Sequence, residues 1–331
     1  MKVNNTERLL TIDALRGIAS FSVCWFHLTN GTPTFLQDGY LKSSGAYGWV
    51  GVEVFFVISG FIIPFTLWQS DYSMRSYGRF ILKRVVRLDP PYLLSILLVI
   101  VLAYASLLYP DFRGKSPSYS LPQILLHLGF LNVFFGYPWI NIIYWSLALE
   151  FQYYLLIGLI FPLLVSNKTV VRFGTVLFLW LVSYWWSNER FVFAWLPLFL
   201  LGVIAFYYKV GLLGNGGLVV GIALFTIYTY LMVGGVIATV VLLTSILILF
   251  VEIKSRLLKL LGEISYSLYL VHVPIGGRII NLSLRYADST LEKVISLLVA
   301  LAVSLCAAYL FYRAIELPSR KWSSEIRYEA K

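Results

Sequence analysis

Charged residues and cysteines are both scarce in this sequence of 331 residues, and each scarcity excludes a class of protein. Only 13% of the residues are charged, whereas 59% are hydrophobic and the mean hydropathy is +0.80. Soluble globular domains contain about 25% charged residues, so an ordinary soluble fold is excluded. The two cysteines, Cys24 and Cys306, both fall in hydrophobic runs, which argues against a disulfide or a thiol-based redox function.

The sequence also lacks a cleavable signal peptide, a cluster of metal ligands and an internal repeat. Its first hydrophobic run is interrupted by Asp13 and Arg16 and has no small-residue cleavage site. We therefore expect this run to stay in the mature protein, and we predict no bound metal.

Long hydrophobic runs are what the sequence does contain. A helix that crosses a membrane needs about 20 mostly apolar residues, so these runs predict an all-α, polytopic transmembrane helical bundle of about ten spans. The runs cover residues 10–30, 47–69, 88–109, 145–165, 172–187, 191–208, 212–230, 232–251, 261–281 and 292–315. Residues 121–136 could form a shorter helix.

The basic residues indicate the orientation, because cytoplasmic loops carry an excess of Lys and Arg. Ten spans with both termini in the cytoplasm place most of these residues on the cytoplasmic side. The net charge of +10 is then explained by topology, and we predict no nucleic-acid partner. We expect one membrane domain over residues 1–331, with spans from about residue 10 to 315, a short cytoplasmic tail over 319–331 and no additional soluble domain.

Three ionisable residues lie in the first predicted span. Such groups are costly at membrane depth and commonly mark function. Arg16 and His27 are eleven residues apart, so a helix brings them to nearly the same face, roughly 16 Å apart along its axis. Alternatively, Asp13 and Arg16 neutralise each other near a helix end while His27 reaches the opposite interface.

Two carboxylates lie in later spans at a similar predicted depth. Glu53 is near the outer end of the second span, with Ser59 near mid-membrane. Glu150 follows Trp145, which we place at the outer interface of the fourth span. His27, Glu53 and Glu150 would form an acid/base site if their helix faces converge, but a sequence gives depth and not rotation about the helix axis.

A basic cluster precedes the proline pair at residues 90–91, which we expect to fix the entry into the third span. Lys83, Arg84 and Arg87 form this cluster. They are either a cytoplasmic anchor that also touches anionic lipid head groups or a clamp for a phosphorylated ligand, since Lys83 and Arg87 share a helix face.

The last two predicted spans also carry polar residues. His272 precedes a proline and either acts chemically or bonds a carbonyl that the proline frees. Tyr266 and Tyr269 either line a cavity or pack against neighbouring helices. Arg313 and Glu316 form either a local ion pair or part of a site.

Taken in order, these segments resemble the acyltransferase-3 family of bacterial integral-membrane O-acyltransferases. The resemblance runs from residue 11 to about 318. Two positions depart from the family pattern: Lys83 stands where Arg is common, and Phe151 stands where a second acidic residue often follows Glu150. The matching pieces are DALRG with His27 ten intervening residues after Arg16, GVEVFFVISGF, KRVVRLDPPY, WSLALEFQYYL, LGEISYSLYLVHVP and IELP.

The resemblance implies transfer of an acyl group, usually acetyl from cytosolic acetyl-CoA, to a hydroxyl of a cell-surface carbohydrate. The acceptor would be lipid-linked or part of a surface polysaccharide, such as lipopolysaccharide O-antigen or exopolysaccharide. It also implies a stand-alone enzyme of the bacterial inner (cytoplasmic) membrane, with membrane lipid around it.

The resemblance also suggests roles for the candidate residues. His27 would be the general base, since imidazole titrates near neutrality, and Glu150 or Glu53 would orient it. Alternatively, His27 would first accept the acyl group itself. The coenzyme phosphates would bind to Arg16, Lys83, Arg84 and Arg87. The other motif residues are Asp13, Ser59, Trp145, Ser146, Tyr266, Tyr269, His272 and Glu316.

Two other classes of protein are compatible with the composition. A proton-coupled secondary transporter also carries ionisable residues at membrane depth, although the lack of a two-fold repeat argues against it. A glycan polymerase or flippase would instead change glycan chain length or export.

Overall fold

The computed structural model describes residues 5–108 and 116–328, with side chains from residue 10 onward, and the described residues form helices and no strand. The all-α prediction is therefore confirmed. The main helices are α1 (Asn5–Asn30), α2 (Gly51–Gln69), α3 (Tyr77–Ala105), α4 (Tyr144–Leu164), α5 (Thr169–Trp185), α6 (Val192–Lys209), α7 (Asn215–Met232), α8 (Gly235–Phe250), α9 (residues 256–283) and α10 (Thr290–Glu325).

Within the described residues, six helical segments are long and apolar enough to cross a membrane, which agrees with a multi-pass membrane protein. Helices α5 and α8 are apolar but shorter. Helix α9 is broken into short pieces at Ile264 and at a π-helical turn over Val273–Gly277. The count of ten spans and the cytoplasmic location of both termini stay predictions. The six segments are Tyr40–Gln69, Met74–Leu108, Tyr144–Leu164, Val192–Lys209, Asn215–Met232 and Thr290–Glu325.

Loop contacts define the end of the bundle at which α1 begins, called here the basic end. The hydroxyl of Thr11 donates to the carbonyl of Val251, which follows α8, over 3.1 Å. Arg320 near the end of α10 donates to the carbonyl of Glu263 in α9 over 3.0 Å. Arg75, Lys168, Lys254, Arg256 and Lys321 also lie in the loops and terminal turns at this end.

The opposite end, called here the far end, is joined by a second set of contacts. Trp25 near the end of α1 donates from Nε1 to Ser44 Oγ over 2.9 Å. Beyond α1, the hydroxyl of Thr32 donates to Asn281 Oδ1 over 3.0 Å. By the positive-inside rule, the basic end is predicted to face the cytoplasm.

Two glycines allow helices to meet backbone to backbone. A Cβ atom on Gly60 of α2 would lie 2.1 Å from the carbonyl oxygen of Phe199 in α6, and one on Gly262 of α9 would lie 2.1 Å from that of Asp13 in α1. Both distances are far below a van der Waals contact, so only glycine fits there. Small residues permit such close crossings in membrane bundles, and the second crossing brings the polar start of α1 against α9.

The prediction that the proline pair fixes the entry into the third span is wrong. Helix α3 already begins at Tyr77 and contains Pro90 and Pro91 in its interior. Prolines remove backbone donors from a helix, so Pro90 and Pro91 leave the carbonyls four residues earlier, of Val86 and Arg87, without their helical partners. The Tyr266 hydroxyl of α9 donates to the next carbonyl, of Leu88, over 2.9 Å and ties α9 to this part of α3.

The segment after residue 318, predicted to be a short cytoplasmic tail, begins as a helix. Helix α10 passes through a π-helical turn at Tyr312–Glu316 and continues as Leu317–Glu325. Its last turns pack against α3, and Lys83 Nζ donates to the carbonyl of Ile326 over 3.2 Å. Packing thus stabilises a segment that lacks the apolar run of a span. Residues 329–331 of the expected tail lie outside the described residues.

The shorter helix predicted over residues 121–136 is divided into three pieces. They are Leu121–Leu125, Leu128–Phe130 and Asn132–Phe135, interrupted at Gly129, which has a φ of 75°. His127 bonds here through both ring nitrogens, with Nδ1 2.8 Å from the carbonyl of Gln123 and Nε2 accepting from the backbone of Ile140. His127, the histidine that lies outside the predicted site, therefore has a structural role.

Candidate active site

A cavity of about 350 Å³ lies inside the bundle, on the side of the basic end. Its volume is within the range of pockets that bind small molecules and cofactors. Helices α1, α2, α3, α4, α9 and α10 all contribute to its wall. Eleven of the predicted site residues line it: Asp13, Arg16, Ser59, Lys83, Arg84, Arg87, Ser146, Glu150, Tyr266, Tyr269 and Glu316.

The cationic side chains of this cavity retain unused hydrogen-bonding capacity. Arg84 is only 8% exposed, and its guanidinium lies 5.3 Å from the ring centroids of both Phe80 and Tyr154. The Nε atoms of Arg84 and Arg16 are buried without a hydrogen-bond partner among the described residues. Buried donors normally find an acceptor, so these two arginines are suited to an anionic ligand.

The ion pair considered for Asp13 and Arg16 is not formed in the described part of the chain. Both side chains instead line the cavity. Four cationic side chains and three carboxylates line the cavity. One of the carboxylates, Glu316, is paired with Arg320, which is not part of the lining, so the lining carries a net positive charge.

Glu316 pairs with Arg320 and not with Arg313, so a local Arg313–Glu316 ion pair is excluded. Its Oε1 lies 2.6 Å from Arg320 Nη2, and its Oε2 accepts from the backbone N–H of Ser267 over 3.1 Å and from that residue's hydroxyl. Glu316 is only 2% exposed and both of its oxygens accept hydrogen bonds, whereas the Arg320 side chain is 24% exposed. It ties the end of α10 to α9 at the cavity wall.

Glu150 is held by two hydroxyl donors. Ser59 Oγ of α2 donates to Glu150 Oε1 over 2.8 Å, and the hydroxyl of Tyr154, one turn along α4, donates to the same oxygen. Both donors fix the carboxylate at the cavity surface and bring α2 and α4 together. Glu150 therefore belongs to the cavity with the arginines.

His27 lies outside this cavity and lines a second one, of about 1430 Å³, at the far end. Its Nδ1 is 2.9 Å from the carbonyl oxygen of Val23 and 3.2 Å from Nε2 of His272. His272 is fully buried, and its Nδ1 is 2.9 Å from the carbonyl oxygen of Leu268. The two imidazoles are therefore directly paired between α1 and α9.

The carbonyl oxygens around this pair determine where the protons lie in the neutral rings. A carbonyl only accepts, so Nδ1 of His272 carries a proton that it donates to Leu268, and its Nε2 is an acceptor. Nδ1 of His27 then faces two acceptors and must carry its own proton. This leaves the lone pair of His27 Nε2 available as a base.

Tyr269 and His272 separate the two cavities. Tyr269 lines the smaller cavity, and its ring centroid is 5.9 Å from that of His272, which in turn contacts His27 at the larger cavity. The Tyr269 hydroxyl is 2.6 Å from Ser146 Oγ and donates to the carbonyl of Ile143 over 3.0 Å. We call Tyr269 and His272 the partition.

The carboxylates that were expected to orient His27 do not contact it. The hydrogen bonds of its imidazole in the described chain go to Val23 and His272, and neither Glu53 nor Glu150 takes part. Glu53 is 3% exposed, and its Oε2 has no hydrogen-bond partner within the described ranges. The three groups expected at a similar depth are therefore not together, since Glu150 lines the smaller cavity and His27 lines the larger one.

Trp145 is a packing residue in this structure. Its ring centroid lies 5.5 Å from that of Trp195 and 6.5 Å from that of Phe56, in an aromatic cluster between α4, α2 and α6.

Two site residues escaped the sequence reasoning although spacing could have indicated them. Tyr154 follows Glu150 by four residues, and Arg320 follows Glu316 by four, which is the separation of neighbours on one helix face. A third, Arg278 in the larger cavity, follows Pro274 by four residues, and its Nη1 donates to that carbonyl over 2.8 Å. No motif in the sequence pointed to Arg278.

Comparisons with known proteins find relatives that align along much of this chain. Peptidoglycan O-acetyltransferase OatA of Listeria monocytogenes is 24% identical over 366 aligned residues, covering 94% of this chain and 56% of that protein. O-acetyltransferase OatA of Staphylococcus aureus is 25% identical over 374 residues, covering 97% and 58%. An uncharacterized protein of Haemophilus influenzae is 33% identical over 125 residues, or 34% of this chain and 47% of that protein.

The chain thus spans little more than half the length of the two O-acetyltransferases. No solved structure matches it. A family model described as an acyltransferase domain matches residues 9–313, from the first turns of α1 into α10. Because this match covers nearly all of the helical bundle, the chain belongs to the acyltransferase-3 family.

Proposed function

We propose that this protein transfers an acetyl group from acetyl-CoA to a hydroxyl of a cell-surface glycan. The observation that carries the proposal is the pair of cavities. The arginines and Glu150 line one, His27 lines the other, and Tyr269 of the first contacts His272, which contacts His27. The donor would bind in the smaller cavity and the acceptor in the larger. O-antigen of lipopolysaccharide and exopolysaccharide are the proposed acceptors, and the bacterial inner membrane is the proposed location.

The positive lining of the smaller cavity supports the donor assignment. Coenzyme A carries several phosphate groups, and guanidinium groups bind phosphate oxygens with charge-assisted, often bidentate hydrogen bonds. Arg84 and Arg16 have buried donors without protein partners, as that role requires. Lys83 and Arg87 add positive charge at the same wall.

His27 supports the chemical step. Its Nε2 removes the proton from the acceptor hydroxyl while that oxygen attacks the thioester carbonyl. The carbon–sulfur bond then breaks, the coenzyme leaves as a thiolate, and the proton passes from His27 to the sulfur. The products are the acetyl ester and free coenzyme A.

The test uses the full chain in lipid nanodiscs, with radiolabelled acetyl-CoA and surface polysaccharide from a strain that lacks this gene. We expect His27→Ala to lower transfer by about 10² to 10⁴, the usual contribution of a general base. Arg84→Gln should raise KM for acetyl-CoA about tenfold or more, because it removes charge-assisted bonds. Arg75→Gln is the matched control, since it removes an exposed charge in the loop before α3.

Thermal unfolding of each variant shows whether it is folded. Undiminished acetylation by the folded His27→Ala variant would contradict the proposal. Glycan that is moved without a change in acetyl content would indicate a transporter, and altered chain length or export would indicate a polymerase or flippase. Mass spectrometry and NMR of the product identify the acetylated sugar and position.

A further inference from the structure

The larger cavity differs from the smaller one in size and lining. Its volume of about 1430 Å³ exceeds that of pockets for single small molecules, which reach about 1,000 Å³. Residues of α1, α3, α9 and the segments before α4 line it. A ligand of more than one sugar ring can therefore be accommodated beside His27.

Its polar groups suit an oligosaccharide. Asn141, Asn281 and Thr32 supply amide and hydroxyl groups for sugar hydroxyls, and the rings of Tyr119 and Tyr286 supply amphipathic surfaces. Thr32 and Asn281 already bond each other over 3.0 Å, which links the end of α1 to α9 at the cavity wall.

The charge of this cavity has one sign. Among the described residues that line it there is no Asp or Glu, whereas Arg278 and Arg285 are both present. Arg278 is partly buried and is held through Nη1 by the carbonyl of Pro274 over 2.8 Å. A guanidinium has five N–H donors, and this bond uses one of them.

The position of Arg278 connects it with the reacting group. Pro274, to which it is anchored, also lines the cavity and lies two residues after His272, the partner of His27. The π-helical turn Val273–Gly277 separates His272, which is buried behind the cavity lining, from Arg278, which is part of it. Arg278 and His27 therefore face one ligand space.

We propose that this cavity selects an acceptor that carries an anionic oxygen group, either a carboxylate on the glycan or the phosphate of a lipid carrier, and that Arg278 binds this group. This inference rests on the proposed function in that the acceptor occupies the larger cavity. A planar guanidinium pairs with carboxylate or phosphate through two parallel hydrogen bonds, which also fixes the ligand's orientation.

The experiment measures binding of two matched probe pairs to the full chain in nanodiscs, without acetyl-CoA. Trigalacturonate and its methyl ester differ in the charge on the sugar. Undecaprenyl diphosphate and undecaprenol differ in the charge on a lipid carrier. Each is tested with the wild-type protein, Arg278→Gln, Arg278→Lys and Arg190→Gln, the last being an exposed far-end arginine outside the cavity lining.

We expect the wild-type protein to prefer the charged member of one pair by about tenfold or more, which is typical of a hydrogen bond between charged groups. Arg278→Gln should abolish the preference, Arg278→Lys should keep part of it, and Arg190→Gln should leave it intact. The pair that shows the preference identifies whether the anion belongs to the sugar or to the lipid carrier.

Equal binding within both pairs by the wild-type protein overturns the proposal, with no variant needed, as does a preference that persists in Arg278→Gln. Failure of the proposed function is separate, because it would show as absence of acetyl transfer while this binding preference is present. Conversely, equal transfer to neutral glycans without a phosphate carrier and to anionic or phosphate-linked glycans would leave the acetyltransferase activity intact and refute the role of Arg278.

Discussion

The contact between the two imidazoles leads to a quantitative prediction for His272. When His27 takes a proton from the acceptor, its Nδ1–H bond to His272 Nε2, 3.2 Å long, changes from a neutral to a charge-assisted hydrogen bond. Neutral hydrogen bonds contribute about 1 kcal/mol and charge-assisted ones about 2 kcal/mol. The difference of about 1 kcal/mol stabilises only the transition state, so His272→Phe should lower kcat about fivefold.

This effect is modest because His272 is a positioning residue. The carbonyl of Val23, 2.9 Å from the same Nδ1, still holds the ring in His272→Phe. KM for acetyl-CoA should stay unchanged, because His272 does not line the smaller cavity, in which the donor is proposed to bind. His272→Gln should recover most of the lost kcat, since its amide oxygen accepts from His27 and its amide nitrogen donates to Leu268.

The assay is steady-state acetyl transfer in nanodiscs, with kcat and KM determined separately and folding checked by thermal unfolding. If folded His272→Phe were as inactive as His27→Ala, His272 would act in the chemistry itself and the positioning role would be refuted. A kcat equal to that of the wild-type protein in His272→Phe would refute it as well.

Two further predictions concern the packing around the site. Glu316→Gln should lower the free energy of unfolding by about 1.5 to 3 kcal/mol, the usual contribution of a hydrogen bond to a charged group, because it removes the counter-charge of Arg320, whose side chain is 24% exposed. Asp38→Asn should leave the free energy of unfolding nearly unchanged, because its ion pair with Lys42 is exposed; similar losses in urea unfolding would refute this. Gly60→Ala should reduce the yield and thermal stability of folded protein, because its Cβ would lie 2.1 Å from the carbonyl oxygen of Phe199, whereas Gly174→Ala meets no atom within 4 Å and should be neutral. Equal stability of the two alanine variants would show that α2 and α6 can move apart freely.

Most of the residues that line the smaller cavity could be predicted from the sequence. A charged side chain at membrane depth has to face protein or an internal cavity, so Arg16 and Glu150 were identified from their positions in hydrophobic runs. Arg84 was identified as part of the basic cluster before the proline pair, for which a lipid-facing anchor remained an alternative. The resemblance to the family added the order of the segments. Their convergence on one cavity follows from six helices that each turn a polar face inwards.

The pairing of His27 could not be predicted, because it depends on rotation about helix axes and on the π-helical turn after His272. Depth alone suggested Glu53 and Glu150 as its partners, and the structure supplies another imidazole instead. The continuity of α3 through its prolines was missed for a similar reason. The Tyr266 hydroxyl that bonds beside them comes from a helix distant in sequence.

The histidine pair also distinguishes two routes for the acetyl group. If His27 accepted the group on Nε2, the ring would become a cation until Nδ1 lost its proton, and the neighbours of Nδ1 are a carbonyl and the fully buried His272. A buried imidazolium without a counter-charge is costly. In direct transfer, the proton on His27 passes to the departing thiolate within the same step.

We therefore expect direct transfer past Tyr269, with no stable acyl-enzyme. Wild-type protein incubated with radiolabelled acetyl-CoA, without acceptor, should carry no covalent label after denaturation, although the same preparation acetylates glycan when it is added. A label that is present in the wild-type protein, absent from His27→Ala and released by acceptor would contradict this. It would mean that His272 does accept the proton, despite its burial, and that the acetyl group crosses the partition in two steps.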